Sequence, residues 1–178
     1  MRNLKSLSYI LLGFTLLFSA CDKDDGESSG DVTGEVELFL LDSYELVNET
    51  PEIDPASVVL KEDPLLRYSD LKSYNAKDYF FKVTDAARER LEEMEHSVSG
   101  VAFGVTADGV LIYTGYFVPS YSSFSVQWIV IDPVFWHSSN RIYVNLGYPG
   151  AFEGVEIPDL RNDERILKIF RRDRNLTE

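Results

Sequence analysis

Side chains suited to acid–base chemistry near neutral pH are few. The chain has 2 histidines, His96 and His137, and imidazole is the side chain whose ordinary pKa lies between about 5 and 8. His137 sits in Asp132-Pro133-Val134-Phe135-Trp136-His137-Ser138-Ser139-Asn140, where an aspartate could orient the imidazole and a serine could serve as nucleophile. A hydrolase centred on His137 is therefore one reading, although no Gly-x-Ser-x-Gly elbow accompanies it and histidine beside serine is common in plain loops. His96 closes a helical pattern, where the negative end of the helix dipole favours a histidine without any catalytic duty. No His-x-x-x-His or paired-cysteine spacing is present, and Asp159-Leu160-Arg161-Asn162-Asp163-Glu164 lacks the alternation and glycine of a calcium loop. Among 30 acidic residues none is paired by context for glycoside hydrolysis. The sequence assigns no catalytic residue and calls for no metal or cofactor.

Aromatic residues make the stronger case for function. The chain carries 11 Phe, 10 Tyr and 2 Trp, and two runs gather rings with hydroxyl neighbours. One is Tyr116-Phe117-Val118-Pro119-Ser120-Tyr121-Ser122-Ser123-Phe124, and the other is Phe135-Trp136-His137. Each joins two strand patterns, so both are expected on loops at neighbouring rims. Tyr and Trp offer large contact area at small entropy cost, which suits a protein or glycan partner. Tyr116, Tyr121, Trp128, Trp136 and His137 are the candidate binding residues. The competing reading is that these rings cap the core ends.

The first residues are an address. Arg2 and Lys5 precede the apolar run Leu7 to Leu17, and Leu17-Phe18-Ser19-Ala20-Cys21 ends it with small residues before the single cysteine. This stretch resembles a bacterial lipoprotein signal peptide with its lipobox, which implies cleavage before Cys21 and acylation of that thiol. Several acyl chains anchor firmly, since each buried methylene contributes roughly 0.8 kcal/mol. Residues 22–34 are polar, acidic and free of large apolar side chains up to Asp31, the composition of a flexible tether. Lys23-Asp24-Asp25 resembles the export signal of Bacteroidetes-type lipoproteins. That implies an outer-membrane lipoprotein on the cell surface, in preference to the periplasmic face. With Cys21 committed to lipid, no thiol remains for a disulfide, a nucleophile or a metal.

The formal net charge is -13, and because Arg2 and Lys5 belong to the leader, the remainder is more acidic still. Nucleic acid is excluded as a partner, since such binding draws its affinity from cations that neutralise phosphates.

The elements that must position the rings follow from periodicity. Residues 35–178 are expected to form a single α+β domain. Strands are expected at Val36–Leu41, Tyr79–Val83, Val101–Ala107, Val110–Phe117, Ser123–Ile131 and Arg141–Leu146. Asp108-Gly109 predicts a type I′ hairpin, and counting outward pairs Val105 with Ile112 and Gly104 with Tyr113, so that the tyrosine ring covers the glycine. Helices are expected from Asp85 to His96, with Thr84 as N-cap, and from about Asp159–Asp163 through Arg174. The stretch from Asn48 to Pro64, with Pro51, Pro55 and Pro64, reads as an irregular surface crossing. The predicted architecture is a mainly antiparallel sheet of about five or six strands with two helices.

From Leu66 to Gly115, Tyr68-Ser69-Asp70-Leu71, the strand Tyr79 to Val83, Thr84 with its short helix, Gly100-Val101-Ala102-Phe103 and the Asp108-Gly109 turn resemble the first periplasmic domain of SecD-type translocase subunits. The resemblance implies a similar α+β module reused for binding, without translocase activity. It departs after the hairpin, where this chain reads as strand and that family places a helix.

Overall fold

Runs rich in β-branched and aromatic residues fold into strands, alternating in burial in β8 and buried almost throughout in the central strands, and the two segments with helical spacing fold into helices. The computed structural model describes residues 33–134 and 139–178. The strands are β1 (Val36–Ser43), β2 (Val59–Leu60), β3 (Leu71–Asn75), β4 (Phe80–Val83), β5 (Val101–Ala107), β6 (Val110–Phe117), β7 (Val126–Ile131), β8 (Arg141–Tyr148) and β9 (Leu176–Thr177). The helices are α1 (Asp85–Glu93) and α2 (Glu164–Arg172). Cys21, Lys23, Asp24, Asp25, Trp136 and His137 lie outside the described residues. No helix among the described residues is long and apolar enough to cross a membrane.

The fold is α+β, but the sheet corrects the expected architecture. Among the described residues it has nine strands in the order β2-β1-β5-β6-β7-β8-β4-β3-β9. It is also mixed: β6 with β7 and β3 with β9 run parallel, while the other neighbours are antiparallel. The extra strands β2 and β9 are two residues each, too short for any alternation to show. Strand β3 carries only two buried positions, Leu71 and Tyr74, with a bulge between Leu71 and Ser73 that breaks its period. The parallel pairs arise because the chain crosses back between β6 and β7, and returns through α2 to β9.

The hairpin also differs in register. Asp108 and Gly109 both take positive φ, 54° and 71°, as a type I′ turn demands. A bulge then pairs Thr106 with Leu111 and Val105 with Tyr113, one residue away from the expected partners. Tyr113 therefore points into the core, 6.5 Å from Phe103, and the ring that lies over a glycine is Phe103 on Gly115. A Cβ at Gly115 would meet the Phe103 ring at 2.5 Å and the Ile129 carbonyl at 2.6 Å, so only glycine permits this approach. Helix α1 starts at the expected Thr84, whose side chain accepts from the Ala87 N–H at 3.1 Å. It stops at Glu93, before the expected His96.

Strand β8 joins the two limbs of the sheet. Its first half pairs with β4 (Tyr143 opposite Phe80, Arg141 opposite Lys82) and its second half with β7 (Val144 opposite Ile131, Tyr148 opposite Val126). Helix α2 fills the interior. Ile166, Ile169 and Phe170 are buried, each such side chain stabilising the fold by about 1.5–3 kcal/mol. The Phe170 ring sits 5.5, 5.7 and 5.9 Å from those of Tyr68, Tyr74 and Phe81.

The segment before α2 is held by a buried cation. The Arg161 guanidinium donates through Nε and Nη2 to Asp159 at 2.8 and 2.7 Å, and through Nη1 to the Val144 carbonyl at 2.9 Å. It stacks 3.6 Å from the centre of the Tyr79 ring. The Tyr74 hydroxyl donates to the Arg161 carbonyl at 2.8 Å, and Asn162 Nδ2 donates to the Ala76 carbonyl at 2.9 Å. Arg161 in turn holds the Asp159 carboxyl below the usual carboxylate range. Replacing Arg161→Met should lower the unfolding free energy by roughly 2–4 kcal/mol, through the orphaned Val144 carbonyl and the lost stacking. Urea unfolding checks this, and a change under half a unit would remove Arg161 from that role.

A second polar tie links α2 to the turn before β3, where the Tyr68 hydroxyl donates to Asp173 Oδ2 at 2.7 Å. Arg172 first, and this hydroxyl next, hold the Asp173 carboxyl down to about 2, while burial first and then Asp173 push the Tyr68 phenol up to about 12. A depressed carboxyl contributes stability above its ordinary pKa of about 3.9 that is lost as pH falls through the folded value. A raised phenol contributes stability below about 10 that is lost as pH rises through the folded value. Tyr68→Phe should therefore flatten the stability curve between about pH 4 and 2 and again between about pH 10 and 12. Denaturant titrations across pH decide it, and unchanged limbs would refute the linkage.

Candidate functional site

Because β6 and β7 are parallel neighbours, residues 118–125 must carry the chain back along β7 before entering it. This crossover is braced along its length. Val118 N–H donates to the Ile131 carbonyl at 2.9 Å, and Ser122 N–H to the Pro119 carbonyl at 2.8 Å. The Ser122 hydroxyl donates to the Val98 carbonyl at 2.6 Å and accepts from the Phe124 N–H at 3.1 Å. Asp132 Oδ1 accepts from the Ser120 N–H at 3.2 Å and the Val134 N–H at 2.8 Å, so this carboxylate oxygen serves the loop backbone. From β8, the Tyr148 hydroxyl reaches the carbonyls of Ser120 at 2.8 Å and Ser122 at 3.3 Å.

Rings on this brace face solvent. Tyr121 is 65% and Phe124 55% exposed, a cost the chain carries with no internal packing in return. Between the crossover and the β7–β8 ladder lies a cleft of about 520 Å³, lined by Val118, Ser120, Asp132, Asn145, Tyr148 and Pro149 among others. That volume falls in the range of small-ligand sites, roughly 300–1,000 Å³. Beyond it, Gln127 clamps the next loop, donating to the Gly150 carbonyl at 3.0 Å and accepting from the Phe152 N–H at 2.7 Å, and the Phe152 ring is exposed.

The other candidates fall elsewhere. Tyr116 is buried, its hydroxyl donating to the Pro51 carbonyl at 3.0 Å and its ring 6.3 Å from Tyr44; burial, then Tyr44, raises its pKa. Trp128 is buried too, its indole N–H donating to Thr114 Oγ1 at 3.1 Å. These rings pack against the 44–58 excursion and the neighbouring strand, so of the described candidates only Tyr121 is available to a partner. Phe124 belongs to the aromatic run that the sequence points to, although not to the five candidate residues, whereas Tyr148 and Asn145 depend on the pairing of β7 with β8 and leave no sequence signal. Among the described residues no group of histidine and carboxylate side chains is arranged to hold a metal ion.

No protein-family model, curated protein or solved structure matches the chain.

Tyr148→Phe removes the hydroxyl that holds the crossover without changing ring packing. It should cost about 0.5–1.5 kcal/mol of stability and raise amide hydrogen exchange at Ser122 and Phe124 while leaving the β5–β6 hairpin protected. Equal exchange in the two proteins would show that the crossover does not need this brace.

Proposed function

We propose that the chain is a lipid-anchored protein of the bacterial outer membrane, held at the cell surface by Cys21 and its acidic tether, that binds a protein or glycan of the envelope through the crossover between β6 and β7. The observation that carries the reading is the exposure of Tyr121 and Phe124 on a loop fixed by hydrogen bonds at both shoulders. Rings held rigidly in water make contact area available without further ordering cost on binding. The lipobox pattern ending in Cys21 and the Lys23-Asp24-Asp25 run support the address. An anchor of this kind confines the domain to a layer near the membrane, where even weak contacts gain from high local concentration.

The test uses the full chain expressed in its envelope. An alkyne-palmitate label should mark the wild type and vanish in Cys21→Ser. The Tyr121→Ala/Phe124→Ala double variant should take the label normally and keep its melting temperature. Solubilised in detergent, it should bind isolated envelope fragments about tenfold more weakly than wild type, the scale of losing one or two interface anchor rings. Labelling that persists in Cys21→Ser rejects the anchor, and undiminished retention of the double variant rejects the crossover as the contact.

A further inference from the structure

The outward face of the β8–β4–β3 limb carries a second pattern, separate from the crossover. Side chains alternate across a strand, so Ile142 and Val144 enter the core while Arg141, Tyr143 and Asn145 are exposed. Register places these beside their neighbours in two rows. One row runs Asn75, Phe80, Tyr143, and the next, about 7 Å along the strands, runs Ser73, Lys82, Arg141. The Phe80 and Tyr143 rings lie 5.2 Å apart, and the Arg141 guanidinium sits 4.8 Å over Phe80. Neither row contains a carboxylate.

Two features single this face out. In a chain of net charge -13, it sets two cations directly opposite each other on adjacent strands, an arrangement that destabilises a sheet unless an anion lies between them. Among the described residues, no carboxylate lies within ion-pair distance of Lys82 or Arg141. Beside the cations, the exposed Tyr143 ring offers an aromatic surface, tilted 53° to the buried Phe80 ring that supports it, and Asn145 carries the face on to the cleft beneath the crossover.

We infer that this face binds a carboxylate-bearing polysaccharide, one uronate unit laying the C–H side of its sugar ring on Tyr143 while its carboxylate bridges Lys82 and Arg141. A uronate joins a ring and a carboxylate in one residue, matching the adjacency of the two rows. Arginine takes a carboxylate through paired N–H groups, the negative face of an aromatic ring favours C–H contact, and amides such as Asn145 serve hydroxyl groups. An acidic peptide would use the cations but has no need of the ring beside them.

The test measures binding of the detergent-solubilised full-length chain to alginate, dextran and poly-glutamate at low salt. Alginate should bind, dextran should not, and poly-glutamate should bind more weakly than alginate. Lys82→Gln and Arg141→Gln should each weaken alginate binding about tenfold, as expected when a charge-assisted contact is removed. Lys82→Gln should at the same time raise the melting temperature, by relieving the like-charge pair. Tyr143→Ala should weaken alginate binding while leaving poly-glutamate binding unchanged, and Tyr143→Phe, which keeps the ring, should retain it. Poly-glutamate binding as tightly as alginate would transfer the face to acidic peptides and overturn the glycan assignment. Absence of alginate binding, or charge variants that bind it like wild type, would overturn the site itself. Variants at Tyr121 and Phe124 report on the crossover alone, so the two readings fail separately.

Discussion

The guanidinium of Arg161 is where the two limbs of the sheet, the β3–β4 turn and the entry to α2 are tied together. A cation this far from water is tolerable only when its donors are satisfied. Here they go to Asp159 and to the Val144 carbonyl, and its flat face is covered by Tyr79. Tyr79 itself adopts a positive φ of 54°, which costs a residue other than glycine about 1–2 kcal/mol, so the cation also holds a strained turn in place. With the turn fixed, β4 meets β8 in one register. With the segment before α2 fixed, Phe170 arrives over Tyr74 and Phe81. The two outward rows that contain Tyr143 and Arg141 are a further result of that same register.

Much of this was legible in the sequence, and the rest was not for physical reasons. β1 and β8 announce themselves by alternation, β4, the hairpin and β7 by runs of strand-forming residues, and both helices by a stripe of apolar residues and an N-cap at Thr84 or Asp163. A two-residue strand has no period to read, which hid β2 and β9. The hairpin turn was visible in Asp108-Gly109, but the bulge was not, because an extra residue in one strand leaves no mark on composition. Tyr116 and Trp128 look like binding residues for the same reason that they make good core residues: each is a broad apolar ring with one polar atom. What separates the two roles is where that atom finds its partner, and Pro51 and Thr114 supply it from distant parts of the chain. Tyr121 stands in solvent.

The parallel pairing of β6 and β7 shapes the candidate surface more than any single side chain. A hairpin there would need only a tight turn and would leave the ladder bare. The return crossing instead creates a second layer over part of the sheet, with a cleft at its margin and rings on its crest. The limb beyond β8 has no such cover over Arg141 and Tyr143, which are exposed. One strand, β8, thus separates a sheltered region from an open one, and contributes Tyr148 to the first and Tyr143 to the second.

Arg172, near the end of the chain, donates to the carbonyl of Gly34, just ahead of the first strand, at 3.0 Å. The last helix thus closes against the place where the fold begins, and the strands it covers have no complete interior until it arrives. Pairings between distant segments are slow to form, because the chain entropy must be given up before the contacts return it. A polymer emerging from its amino terminus would therefore stay open until nearly all of it had been released, with the β5–β6 hairpin as its most local structure. On the proposed reading of residues 1–20 as a leader, delay of this kind would keep the thread slender for as long as its passage through a narrow channel lasts.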